Sequence, residues 1–299
     1  MEFHSGALRA PLCVSWQLTH ACDLACVHCC TDSGPDRAAA EELDREGSLR
    51  LAGDIVACEV PYVMLCGGEP LLAPQAFAVA EVLGRGGVQL KIETNGQSFG
   101  PAEARRLAAL PIRSVQVSLD GDTQEVYARQ RPGASLEKAH AACRAVREAG
   151  LPLEVTFAPT RRNIGEIAAT VRRARDLGAF RFNTGALMRV GRAARRWEEL
   201  EPTPEEYAKM ISVLSRMTDV LGSAMELCYH PFTIAEGMSE ALREPPATLL
   251  ILPDGTVKVS AFLEEGCAFV PRQGISEAWD AYRRAWKDPE VRRRLAEAP

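Results

Sequence analysis

The chain has no long apolar run, no basic surplus, no low-complexity stretch and no clear linker. Nothing approaches the roughly 18 consecutive apolar residues of a membrane span, so a membrane protein is not expected. The amino-terminal MEFHSGALRAPLC lacks the charged-then-apolar order of a secretory signal. Both absences predict a cytoplasmic protein, where disulfides are not the expected use of its ten cysteines. The net charge of -5 argues against a nucleic-acid partner held by bulk electrostatics. The tightest basic group, Arg292 to Arg294, reads as a solvated helix face. What is present is ordinary globular composition, with 46% hydrophobic residues over 299 positions. That is enough to bury a core without covalent staples. Some cysteines are then expected to be ligands and the rest small buried apolar residues.

One rhythm repeats along the first two thirds: a short apolar, β-branched run followed by a helical stretch. The strand candidates begin at Val14, Tyr62, Leu90, Ser114, Leu153 and Phe180, each with the length of a strand buried on both faces. Among the helices, AEARRLAAL is closed by Pro111. Ser135 and Gly150 are expected as N-cap and C′ residue of a second, and Asn163 and Gly178 of a third. Six strand–helix units in series predict an α/β protein with a parallel sheet and right-handed crossovers. An open doubly wound sheet and an unclosed barrel both fit, and both put ligands at the carboxyl ends of the strands. After about residue 200 the pattern changes. Thr203 and Pro204 start a long helix, TLLILPDGTVKVSAF reads as a hairpin turned at Pro-Asp-Gly, and two short helices close the chain. The expected division is a core at 1–200 and an appendage at 201–299.

The densest chemical signal is CDLACVHCC, in the loop after the first strand. Cys22, Cys26 and Cys29 have the spacing C-x3-C-x2-C. Three thiolates so close can wrap a corner of an iron–sulfur cubane. Three ligands for four irons leave one iron open to bind a substrate or cofactor. Zinc is the competing metal, since His28 lies inside the loop, but structural zinc usually shows a second ligand pair. A cluster of buried cysteines without metal is the third reading.

With the tetrapeptide Gly67-Gly68-Glu69-Pro70 after the second strand, this loop resembles the radical SAM superfamily. The resemblance implies a partial (β/α)6 TIM-like barrel. It also implies a [4Fe–4S] cluster on Cys22, Cys26 and Cys29, and S-adenosylmethionine (SAM) chelated by the open iron. The cofactor would be split by one electron into methionine and a 5′-deoxyadenosyl radical that abstracts hydrogen. The electron would come from a reducing partner such as flavodoxin or ferredoxin. Glycine at 67 and 68 suits close approach of backbone to a ligand, and Glu69 can accept from an ammonium group. The family's strand-end contacts fall here on Asn95, Ser118, Asp120, Asn163 and Arg189. Each also has a plainer reading as a loop former.

The opening segment, SLDG and GRAARRWEELEPT resemble the branch of pyrroloquinoline quinone and mycofactocin maturases and their haem-pathway relatives. Those carry an extension, of the SPASM/twitch type, whose cysteines bind auxiliary clusters. Here the position after the hairpin is Ser260, and only Cys228 and Cys267 remain. The expectation is a shortened extension, with an auxiliary iron–sulfur cluster only if those two recruit a distant or non-cysteine ligand. Cys13, Cys58, Cys66 and Cys143 are expected in the core, with Cys30 pointing away from the metal. Cys267 has a sharper alternative as hydrogen donor to a substrate radical. Three functions follow. The first is an enzyme acting on a precursor peptide or related natural-product intermediate; because the first strand starts near Val14, a peptide would need a separate recognition protein. The second is an epimerase or dehydrogenase of a sugar or aminoglycoside. The third is a non-catalytic iron–sulfur or zinc sensor.

Overall fold

A computed structural model of the chain describes residues 8–230 and 233–298. Two compact units interleave along the sequence. The first comprises Met1–Cys22, Asp36–Ile92 and Ile234–Pro299, and the second comprises Asp23–Pro35 and Glu93–Thr233.

In the first unit, β1 (Cys13–Gln17), β2 (Tyr62–Cys66) and β3 (Gln89–Thr94, whose last two residues belong to the second unit) are parallel neighbours. The expected hairpin forms: β8 (Thr248–Ile251) and β9 (Thr256–Lys258) are antiparallel, with Leu252 N–H donating to Thr256 O across the turn at 2.8 Å. β10 (Ala268–Phe269) adds antiparallel to β9. The hairpin does not stand apart from the strands before it. β8 lies parallel to β1, Val14 opposite Leu249, so residues far apart in the chain share one sheet. Val14, Trp16, Val63, Leu65 and Leu90 are buried on these strands, and helices Arg45–Ala57 and Ala76–Arg85 pack against each other. Asp44 caps the first of these, accepting from Gly47 N at 2.7 Å. The last long helix, Val270–Ala285, buries Trp279 and Tyr282 with ring centroids 5.4 Å apart.

In the second unit, β4 (Ile112–Ser118), β5 (Leu153–Phe157), β6 (Arg181–Gly185) and β7 (Glu226–His230) run parallel in that order. β7 was not expected from the sequence. Helices Leu136–Glu148, Ile167–Asp176 and Pro204–Leu221 accompany them. The predicted caps at Ser135 and Thr203 are present, the latter as a reciprocal capping box with Glu206. Asn163 caps no helix with its side chain. Its Oδ1 accepts from Thr160 N at 2.7 Å, while its Nδ2 donates to Asp120 O and Ala158 O at 3.0 Å each.

The expectation of strands buried on both faces needs correction. Val115, Val117, Val155, Phe157 and Phe182 are buried, but the alternating residues Gln116, Ser118, Thr156, Arg181 and Asn183 are polar and only partly covered. Period-two alternation puts them on the opposite face. There Asn183 Nδ2 donates to Glu154 at 2.8 Å and Gln116 Nε2 donates to Glu93 at 3.0 Å. Among the described residues, no helix is long and apolar enough to cross a membrane.

A cysteine loop and its candidate cofactor site

The cysteine loop begins in the first unit, where the exits of β1 and β2 are zipped together by backbone. Leu18 N donates to Cys66 O at 2.9 Å, Gly68 N to Thr19 O at 2.7 Å, and Glu69 N to Ala21 O at 2.9 Å. This contact explains both glycines of GGEP. A Cβ on Gly67, whose φ is +136°, would lie 2.6 Å from Thr19 O, and one on Gly68 only 2.1 Å from Ala21 O. The approach that demands glycine is thus to the cysteine loop's own backbone. Glu42 braces the same stretch, accepting from Thr19 Oγ1 at 2.7 Å and His20 N at 2.8 Å. Glu69 is buried, and Pro70 opens the single 3₁₀ turn Pro70–Leu72. Cys22 ends this segment, 8% exposed.

The rest of the loop belongs to the second unit and is held by side chains. Asp23 accepts from Asn95 Nδ2 at 2.7 Å and Ser98 Oγ at 2.9 Å. Val27 N donates to Gln130 O at 2.9 Å, and its side chain packs with Leu187, Ala193 and Leu200. Gly191 (φ +58°) lies so close that a Cβ would meet the carbonyls of Cys29 and Cys30 at 2.5 Å. Arg192 follows it. Its backbone N donates to Cys29 O at 2.8 Å, its Nε to Cys26 O at 2.8 Å and its Nη1 to Asp32 at 2.9 Å.

Beneath Cys26 lies a buried group of charges. Asp120 is 0% exposed; its Oδ2 receives Arg131 Nε at 2.7 Å and lies 3.1 Å from His28 Nε2, and its Oδ1 accepts from Ala158 N at 2.8 Å. Burial alone would raise this carboxyl, but Arg131 and His28 outweigh it and hold the group well below the usual carboxylate range. Arg131 Nη1 then reaches Cys26 Sγ at 3.6 Å. Burial pushes the Cys26 thiol up, against the pull of Arg131. His28 Nδ1 is buried with no hydrogen-bond partner.

These residues suit an iron–sulfur cluster. The loop offers thiols, while the nearby carboxylates are already engaged, Asp23 by Asn95 and Ser98 and Asp120 by Arg131 and His28. Among the described residues, no three His, Cys, Asp or Glu side chains are arranged to hold one metal ion. A cubane takes thiolates at separate irons, so its ligands need not converge as zinc ligands do.

The other sequence candidates divide sharply. Asn95, Asp120 and Asn163 are buried and joined to chain. Ser118 ends β4 on the polar face, half-buried, with its carbonyl accepting from Tyr127 Oη at 3.3 Å. Arg189 is exposed and stacks on Trp197, 5.6 Å from the ring centre; the arginine fastened to the cysteine loop is Arg192. Arg131 and Arg192 were both missed. Cys143 is core as expected, whereas Cys13, Cys58 and Cys66 are partly exposed, and Cys66 Sγ contacts Trp16 O at 3.5 Å. Cys30 is exposed. Cys228, on β7, donates to Glu226 at 3.4 Å. Cys267 precedes β10 and lines a pocket of about 260 Å³ with Val259, Leu263, Ala285 and Val291. Burial raises its thiol to about 11.

An α/β chain of parallel strands with a glycine-clamped cysteine loop is thus the class of protein in hand. The radical SAM superfamily model matches residues 16–178, and the chain belongs to that superfamily. It is 35% identical over 216 residues to "Mycofactocin maturase MftC" of Mycobacterium ulcerans, covering 70% of this chain and 56% of that one. It is 26% identical over 253 residues to "PqqA peptide cyclase" of Ruegeria pomeroyi, covering 83% and 67%. The chain thus spans little more than half the length of the mycofactocin relatives it matches. The structure of Streptococcus suis SuiB bound to precursor peptide SuiA superposes with a TM-score of 0.77 at 13% identity, over 98% of this chain and 68% of that one. At that identity the likeness concerns the fold, which is the partial TIM-like barrel class. The superfamily's cofactors are a [4Fe–4S] cluster and SAM.

Proposed function

We propose that this chain is a radical SAM enzyme acting on a precursor peptide or a related natural-product intermediate. When bound, the cluster supplies the electron that splits SAM into methionine and a 5′-deoxyadenosyl radical, which takes hydrogen from the substrate. The observation that carries this reading is the fastened loop. Backbone hydrogen bonds fix its start at Gly68 and Glu69, and Arg192 fixes the carbonyls of Cys26 and Cys29, so the loop presents its cysteine thiols from a held backbone. Cys22, Cys26 and Cys29 would hold the cluster. Glu69 and Ser118 are the SAM contacts we retain, with Gly67 and Gly68 setting the backbone beside them. Asn95, Asp120 and Asn163 act one step back, because their polar atoms hold chain. The likeness to MftC and PqqA peptide cyclase supports a peptide substrate. We assign the electron to a low-potential donor such as a flavodoxin or ferredoxin.

Anaerobic reconstitution with dithionite and SAM tests the chemistry. The expected product is 5′-deoxyadenosine above background, and an iron-loaded protein that never forms it ends this reading. Iron and sulfide analysis should give about four of each per chain, and almost none in a Cys22→Ala/Cys26→Ala/Cys29→Ala variant. About eight irons would instead mean that an auxiliary cluster is bound.

A further inference from the structure

Arg131 has no task in the scheme so far, yet it is one of the most tightly placed charges in the second unit. It follows helix Gln124–Gln130, and its backbone N donates to Tyr127 O at 2.9 Å. Asp120 grips Nε, which fixes the plane of the guanidinium and turns Nη1 toward Cys26 Sγ, 3.6 Å away. Both Asp120 and Cys26 are buried, at 0% and 8% exposure, so water screens this contact little. A plain ion pair with Asp120 would need neither the proximity to sulfur nor the orientation. A charged N–H donor at a ligating thiolate favours the more negative state of the metal group it serves, because cluster potentials respond to hydrogen bonds at sulfur and to local charge.

We infer that Arg131, aimed by Asp120, is a positioning residue that raises the reduction potential of the cluster held through Cys26, and so eases entry of the electron. The inference rests on the reading that Cys26 is a cluster ligand. Asp120 then has a second effect: its negative charge limits how far Arg131 raises the potential. The two residues should therefore act with opposite sign. Arg131→Gln removes both charge and donor geometry. It leaves Asp120 with its contacts to His28 Nε2, 3.1 Å away, and to the Ala158 backbone N–H at 2.8 Å.

The test is an EPR-monitored potentiometric titration of the anaerobically reconstituted full chain without SAM, with iron content measured on each sample. In Arg131→Gln, the ratio of reduced to oxidised cluster at the wild-type midpoint should fall about tenfold. For a one-electron couple that is a shift of about 59 mV. Arg131→Lys keeps the charge and loses the fork, so its ratio should fall about threefold. Asp120→Asn should move the ratio the other way. Unchanged midpoints in iron-replete Arg131 variants would overturn the inference and leave Arg131 a brace. Where Arg131→Gln does not retain iron, Arg131→Lys decides, and an unchanged or raised ratio refutes the idea. Wild-type protein that never takes up iron would instead defeat the cluster reading itself, so the two failures are told apart.

Discussion

The stretch from Leu18 to Cys30, which carries the cysteine loop, is secured by two different kinds of physics. Its start, in the first unit, is held by main chain against main chain, with glycine where any side chain would collide. Its continuation, in the second unit, is held by charge: Asp120, Arg131, His28 and Arg192 grip sulfur, carbonyl and one another. Backbone zippering tolerates no substitution at a few positions but is indifferent to pH and salt. A buried charge group is sensitive to its balance, because removing one member strands another away from water.

The largest effect is expected where charge is stranded. Asp120→Ala leaves the Arg131 guanidinium buried without its carboxylate, and should cost about 3–5 kcal/mol of folding stability, read as a lowered unfolding midpoint. The double variant Asp120→Ala/Arg131→Gln should recover part of that loss, since no orphan charge remains. A double variant as unstable as the sum of the two singles would show that Asp120 works through something other than Arg131.

Acid separates the two mechanisms. The folded Asp120 carboxyl is held below its ordinary value. Its contribution is therefore complete above the ordinary carboxylate pKa of about 3.9 and is lost as pH falls below that toward the lowered one. The stability gap between wild type and Asp120→Ala should be constant from about pH 5 upward and narrow below about pH 4. A gap that stays constant through that acid range would mean Asp120 is not titrating as a buried partner.

Gly68→Ala probes the other side. Its Cβ would sit 2.1 Å from the carbonyl oxygen of Ala21, so main chain must move. The expected cost is roughly 1–3 kcal/mol, with reduced iron retention after reconstitution. The wild-type acid slope should persist, because no charge has changed. If Gly68→Ala loads iron and melts like wild type, the backbone zipper is not what secures the start of the loop.

What the sequence reveals follows the same divide. Five strands begin within two residues of where apolar β-branched runs place them, as does β6 just after Phe180. GGEP stands out because steric need for glycine leaves a local mark. The charge group leaves none. Arg131 is 105 residues from Cys26 and sits in QRPG, which reads as a turn, and Arg192 is 166 residues from Cys26. Of the two arginines in MRVGR, the sequence reading takes Arg189; the positive φ of Gly191, which presses backbone onto Cys29, is what selects Arg192. Asn95 and Asp120 were picked for their type and position at strand ends, but that type cannot say whether the side chain faces a cofactor or a neighbouring loop. β7 stayed hidden because ELCYH, bounded by Glu226 and His230, has no β-branched run.

The smallest effect is expected at Cys267, and it measures how far the chemistry extends into the tail. Cys267 N donates to Val257 O, and its neighbour Ala268 pairs with Val257, one step farther from the hairpin turn than Phe269. Through Lys258 and Leu250 that level corresponds to Ser15, the middle of β1, whereas Cys22 and GGEP lie beyond the ends of β1 and β2. Its pocket is walled by tail residues alone. Cys267→Ala should therefore leave 5′-deoxyadenosine formation and deuterium incorporation from deuterated water unchanged. Loss of deuterium from the product, with SAM cleavage intact, would make the thiol a hydrogen donor after all and extend the reacting centre beyond the two segments that hold the loop.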